Sequence, residues 1–194
     1  YCGEGSTSNT SQPCPAGRYN PDIGGTSLLD CLSSPRGTHT ALAGATASTK
    51  CAPGFHQPSE GETECKPCAA GSHQPEAGAA VCLPCQTGKH SSEAAAQCAL
   101  CADGYFRPHA NSSVSECAAC SAISGVGCRS DATIETFSLN EGRWRLSTAT
   151  TTTYKCPTFG NWTACRGGAD AGDAGDGYCA EGYHGPRCEL CADA

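Results

Sequence analysis

"CAPGFHQPSEGETECKPCAAGSHQPEAGAAVC", residues 51–82, states nearly the same phrase twice. Each copy opens Cys-x-x-Gly-x-His, reaches a second Cys 14 positions after the first, and restarts three positions later. Aligned on this phrase, the chain holds six copies: CPAGRY at 14, SPRGTH at 34, CAPGFH at 51, CAAGSH at 68, CQTGKH at 85 and CADGYF at 101. From 34 to 85 the period is 17 residues, and the last step is 16. A short fixed period predicts stacked modules that contact only their neighbours.

What such modules are made of follows from composition. Of 194 residues, 18 are Cys, while Leu, Ile, Val and Phe together number 19. A chain of this length normally buries a sizeable apolar core, and this one has little with which to build it. Cysteine at this density marks a disulfide scaffold, and an even number at regular spacing implies an oxidising compartment. Three N-x-[ST] sequons, at Asn9, Asn111 and Asn161, are candidate N-glycosylation sites and point to the same route. No apolar run approaches the ~20 residues that span a bilayer. The chain starts at Tyr1 without a signal peptide, which reads as a mature or excised piece of a secreted precursor. A net charge of −7 with scattered Lys and Arg offers no basic stripe for nucleic acid.

Successive copies meet in C-x-x-C pairs, Cys65-x-x-Cys68, Cys82-x-x-Cys85, Cys98-x-x-Cys101 and Cys117-x-x-Cys120. These are either halves of zinc sites or the junctions between disulfide-closed hairpins. The second copy decides. Where the pattern calls for cysteine it has Ser34 and Ser48, which stand 14 apart like Cys51 and Cys65. Both absent residues belong to one hairpin bridge, whereas a zinc model would leave Cys31 and Cys51 as orphans. The inferred pairs are Cys14–Cys31, Cys51–Cys65, Cys68–Cys82, Cys85–Cys98 and Cys101–Cys117, with no metal and no cofactor. Closing a ~15-residue loop is worth about 3 kcal/mol in the chain-entropy model. The glycine three residues after each opening position marks a tight turn with positive φ or close backbone approach. The fold class is therefore small and disulfide-rich: an elongated tandem array of bridged hairpins with short β-strands and no large hydrophobic core.

The pattern C-x-x-G-[YFH]…C-x-x-C resembles the ephrin-receptor-like cysteine-rich repeat, a relative of the tumour-necrosis-factor-receptor module, over residues 14–120. The resemblance implies an extracellular rod serving as spacer or interaction architecture, and it names no ligand. Ser34 and Ser48 depart from the family pattern.

His39, His56, His73 and His90 fall 17 apart, each two after the repeat glycine, with Tyr19 and Phe106 in the flanking copies. Either the position holds a planar ring packed against a disulfide, or the imidazoles form a ladder for metal binding or for titration near neutral pH.

After Cys120 the repeat stops in the sequence. TIETFSL (133–139), the turn signal NEG (140–142), RWRL and TATTTTY predict a small β unit over 121–168. Within it Trp144 is either a cation–π partner of its flanking arginines or the apolar anchor. Thr150 to Thr153 read as an edge strand or an O-glycosylated stretch. Cys120–Cys128, Cys156–Cys165 and Cys179–Cys188 are local pairs. GGADAGDAGDG lacks the ligand spacing of a calcium loop, so 169–178 reads as a Gly/Asp linker after the 1–13 lead-in, the repeats and the β unit. CAEGYHGPRCELC is similar to the closing half of a laminin-type EGF module, giving an EGF-like tail over 179–194. This combination resembles large secreted surface proteins of algae and other protists, including mastigoneme proteins.

No HExxH, GxSxG or P-loop occurs, and the clustered Glu60, Glu62 and Glu64 read as a solvated surface. The chain reads as non-enzymatic: a structural, glycosylated segment of an extracellular filament or coat, or alternatively a ligand-binding receptor ectodomain. Its partners would be further copies or other surface proteins. Cys2 and Cys191 remain for bridges to a longer chain or to neighbouring subunits.

Overall fold

The computed structural model describes residues 13–22, 27–109 and 116–191. Cys2, Asn9 and Asn111 lie outside the described residues. The fold is small, disulfide-rich and strand-based: eight disulfides, strands of two or three residues in mostly antiparallel pairs, short 3-10 turns, and no α-helix among the described residues. Two compact units divide it, one of Tyr1–Cys85 with Ser91–Cys98, the other of Gln86–His90 with Ala99–Ala194. The boundary thus falls inside the fifth copy, not at residue 120 where the repeat motif ends.

In the first unit each module starts with a four-residue turn. Arg18, Thr38, Phe55 and Ser72 donate their N–H to the carbonyls of Pro15, Pro35, Ala52 and Ala69, each at 3.0 Å. Gly17, Gly37, Gly54 and Gly71 hold φ between +79° and +85° in these turns, a geometry that only glycine adopts without penalty. A two-residue strand follows and pairs antiparallel with the strand after the module's far end: Arg18–Tyr19 with Leu32–Ser33, Thr38–His39 with Thr49–Lys50, Phe55–His56 with Lys66–Pro67, and Ser72–His73 with Leu83–Pro84.

Such short ladders leave most backbone groups unpaired, and the neighbouring module takes them up. Gly17, Gly37, Gly54 and Gly71 donate to the carbonyls of Thr40, Gln57, Gln74 and Ser91 in the following module, at 2.8–3.0 Å. In return Gly44, Gly61, Gly78 and Ala94 donate to the carbonyls of Cys14, Ser34, Cys51 and Cys68. The stack also reaches one module further than nearest neighbours. A Cβ at Gly17, Gly37 or Gly54 would fall on the carbonyl oxygen of Gly61, Gly78 or Ala94 respectively, each two modules on. Contacts confined to nearest neighbours are thus corrected: these glycines have no side chain because a second turn lies against them.

The second unit gathers the apolar residues. Phe106, Phe137, Leu139, Trp144 and Tyr178 are buried together with Cys120, Cys156, Cys165, Cys179 and Cys188, and Phe106 meets Phe137 edge-on at 5.3 Å. Tyr105–Arg107 joins Ala118–Ala119 on one side and, in parallel, Ala132–Thr133 on the other. The repeat turn continues here under altered residues. Ala132, Arg143 and Tyr183 donate to the carbonyls of Arg129, Asn140 and Ala180, with Asp131 at φ +58°, Gly142 at +80° and Gly182 at +84° in the glycine place. The third of these is Cys179-x-x-Gly182-x-His184, the opening motif itself. The repeat turn therefore continues past Cys120, where the regular spacing of the cysteines ends.

Residues 169–178 are part of this core rather than a linker. Trp144 Nε1 donates to the Gly175 carbonyl at 3.0 Å, Tyr178 is wholly buried, and a Cβ at Gly175 would strike the Trp144 ring. The carboxylates of Asp170 and Asp176 accept from the backbone N–H of Gly172 and Gly185, at 2.9 and 2.6 Å. Glycine recurs in this segment because backbone meets the tryptophan at Gly175 and meets backbone at Gly172 and Gly177. Thr150 to Thr153 form no strand: the pairing of Arg143–Trp144 begins only at Tyr154. Thr153 instead donates its hydroxyl to the Ser124 carbonyl at 2.9 Å.

Candidate functional site

Sulfur, imidazole and buried amide recur together in the first unit and make its most regular chemical feature. Disulfides join Cys14–Cys31, Cys51–Cys65, Cys68–Cys82, Cys85–Cys98, Cys101–Cys117, Cys120–Cys128, Cys156–Cys165 and Cys179–Cys188. Cys191 is free and exposed.

The turn and strand that carry each histidine aim its ring forward onto the next module's bridge. His39 Nδ1 lies 3.2 Å from Cys65 Sγ, His56 Nδ1 3.1 Å from Cys82 Sγ, and His73 Nδ1 3.2 Å from Cys98 Sγ. A disulfide sulfur carries no proton, so a hydrogen bond here has Nδ1–H as its donor. His73 agrees with that tautomer, since its Nδ1 also stands 3.2 Å from the Leu83 carbonyl oxygen. No equivalent contact forms at His90 among the described residues. Tyr19 occupies the ring position ahead of the one module that has no bridge. The imidazoles therefore pack module against module through sulfur.

Each trio, His39 with Cys51 and Cys65, His56 with Cys68 and Cys82, and His73 with Cys85 and Cys98, brings its donor atoms within 4.8 Å of one another. Two of the three donors in each are spent in an S–S bond. A cysteine binds zinc as its thiolate, so these are bridged sulfurs capped by imidazole.

The position after each histidine escaped the sequence reading. Thr40, Gln57, Gln74 and Ser91 are buried, with exposures of 3, 0, 6 and 1%. Gln57 donates its amide to the Glu64 carbonyl at 2.7 Å and accepts from Ser59 N–H at 3.1 Å. Gln74 does the same with Val81 and Glu76. Each glutamine folds its own module's far loop around a single amide. In the unbridged second module, buried Ser34 stands in the place of the opening sulfur, shares a 2.6 Å hydrogen bond with Thr40 and donates to the Gly17 carbonyl at 3.1 Å. The 17-residue recurrence of a polar residue after His was the available signal.

In the second unit Trp144 is the buried anchor, and the cation over a ring belongs to its neighbour. Arg145 is wholly buried, with its guanidinium carbon 4.1 Å above the Phe137 ring. Arg145 Nε donates to the Tyr178 hydroxyl at 2.6 Å, and Nη1 to the Ile134 carbonyl at 2.7 Å and the Thr148 carbonyl at 3.3 Å. No carboxylate pairs with it among the described residues. Backbone carbonyls and aromatic faces solvate the charge. Arg107 and Asp131 form an ion pair at this unit's three-stranded sheet.

Asn161 is exposed at the tip of the hairpin joining Thr158–Phe159 to Trp162–Thr163. Beside it a cleft of about 300 Å³ is lined by Phe159, Trp162, Tyr183, Cys188, Glu189 and Cys191.

The fold and site define a cysteine-rich repeat protein. A family model described as tyrosine-protein kinase ephrin type A/B receptor-like matches residues 54–97, which span the third and fourth modules and most of the fifth. That stretch is similar to a receptor-type cysteine-rich domain of the extracellular kind, not to a catalytic domain. No curated protein matches the chain. No helix among the described residues is long and apolar enough to cross a membrane.

Proposed function

We propose that this chain is a structural segment of an extracellular filament or coat, in the manner of mastigoneme proteins, associating with copies of itself or with other surface proteins. One observation carries the reading: each of the first four modules commits its turn glycine and its opening carbonyl to hydrogen bonds with the next module. Turn glycines, imidazoles and opening carbonyls all point along the stack, and none converges on a cavity. A protein organised this way transmits load and resists proteolysis with few apolar residues. The eight disulfides and the receptor-like repeat match support an oxidising, extracellular setting. Cys191, free and exposed on the strand Leu190–Cys191, is available to a disulfide with another chain.

Electron microscopy of unreduced and reduced protein tests the proposal. Regular assemblies that come apart on reduction are expected. Monodisperse single chains of unchanged mass in both states would overturn it and favour a receptor ectodomain.

A further inference from the structure

We propose that Asn161 carries an N-linked glycan whose first sugar packs on the exposed aromatic pair Phe159 and Trp162, making the glycan part of the folded second unit. The inference rests on the extracellular reading above and adds a modification with a structural role.

The hairpin supplies the geometry. Phe159 and Trp162 are cross-strand partners, so only Gly160 and Asn161 form the loop between them. Gly160 sits at φ +64°, as a two-residue hairpin turn requires. Asn161 is therefore held one residue from Trp162 and two from Phe159, and Thr163 completes the sequon. The two rings lie 5.1 Å apart with an interplanar angle of 33°, forming one continuous surface. Tyr183 props the Trp162 ring from the far side at 6.0 Å. Yet Phe159 and Trp162 remain 52% and 48% exposed. Trp162 lines both the cleft shared by Asn161, Thr158 and Thr163 and the one shared by Phe159 and Tyr183.

Chemistry identifies the occupant. An apolar ring pair half in water is unfavourable by roughly 25 cal/mol per Å² left uncovered. One face of an N-acetylglucosamine ring presents axial C–H bonds, slightly positive and poorly hydrated, which complement the negative face of an aromatic ring. A sugar attached at Asn161 arrives tethered, at high effective concentration. The attachment is the usual transfer from a lipid-linked oligosaccharyl diphosphate. A bond forms between Asn161 Nδ2 and the sugar C1, the C1–O bond to the diphosphate breaks, and the amide proton leaves with the released lipid diphosphate.

The test uses the full chain with Asn9→Gln and Asn111→Gln, exported from a eukaryotic host, so that Asn161 is the one sequon left. Peptide mass spectrometry should find Asn161 occupied. Trimming to a single sugar with an endoglycosidase should leave the melting temperature unchanged. The chain without the glycan, made as Asn161→Gln, should melt about 2–4 °C lower, the shift that one weak contact produces in a chain of this size. In Phe159→Leu and Phe159→Ala the difference between glycosylated and unglycosylated protein should disappear. A bare Asn161 in exported protein, or an equal glycan effect in both Phe159 variants, overturns this proposal alone. Failure of the chain to be exported overturns the extracellular reading and this proposal with it.

Discussion

Arg145 shows how one residue replaces a missing apolar core. Its cation reaches carbonyls of residues 134, 148 and 150 and the hydroxyl of Tyr178, and no hydrophobic side chain could tie so many segments at once. Removing it strands those acceptors in a buried site, at about 1–3 kcal/mol for each left unsatisfied. Arg145→Met is expected to lose about 3 kcal/mol, measured by guanidinium unfolding of the oxidised protein. Arg145→Lys should recover little of that, because one ammonium cannot reach the same spread of acceptors. A loss below about 1 kcal/mol for Met would show that water already satisfies those carbonyls. In the sequence Arg145 was one of two charges flanking a tryptophan, with nothing to separate it from half-buried Arg143. The buried glutamines were hidden similarly, since a polar residue after His looks like surface until its module is closed around it.

At the scale of one module, glycine positions report both local and distant constraints. Gly54 and Gly104 share positive φ, +85° and +81°, but their surroundings differ. A Cβ at Gly54 meets the Ala94 carbonyl two modules away, whereas at Gly104 nothing lies within 4 Å. Gly104→Ala is expected to cost about 1 kcal/mol, the conformational penalty alone. Gly54→Ala should cost at least twice that, because backbone must move as well. Equal losses in thermal or chemical unfolding would mean that the modules part easily and that the contact two modules on carries no strain. The turn itself was legible, since C-x-x-G at fixed spacing demands a backbone that other residues avoid. The second reason for glycine was not, because it depends on which carbonyl the stack brings alongside.

Over the whole molecule, stability is distributed by covalent bonds, and the second module is the exception. Ser34 hydrogen-bonds Thr40, but no covalent bond closes the loop from 34 to 48 and constrains the unfolded chain. Local opening is therefore expected first around residues 34–50, seen as faster amide exchange at Cys51 and Gly61, whose N–H groups bond to Gly37 and Ser34, than at the equivalent Cys68 and Gly78. A Ser34→Cys, Ser48→Cys double variant should form a bridge and remove that difference. Uniform exchange in the parent protein would show that inter-module hydrogen bonds alone fix the local stability.

The sequence by itself determined the class of fold, because the cysteine count, the scarcity of aliphatic residues and the 17-residue period leave disulfide-rich hairpin modules as the economical arrangement. It determined the positive-φ turns, which are local. Tertiary structure decided what depends on proximity between distant residues. The histidines face the following bridge, and the glycines yield to a turn two modules on. The Asp/Gly stretch at 169–178 packs on Trp144 instead of flexing, and the repeat turn continues beyond the regular cysteine spacing through Asp131, Gly142 and Gly182. Composition reads a polar, glycine-rich segment as loose. Only packing reveals that its glycines are close contacts and its carboxylates are turn caps.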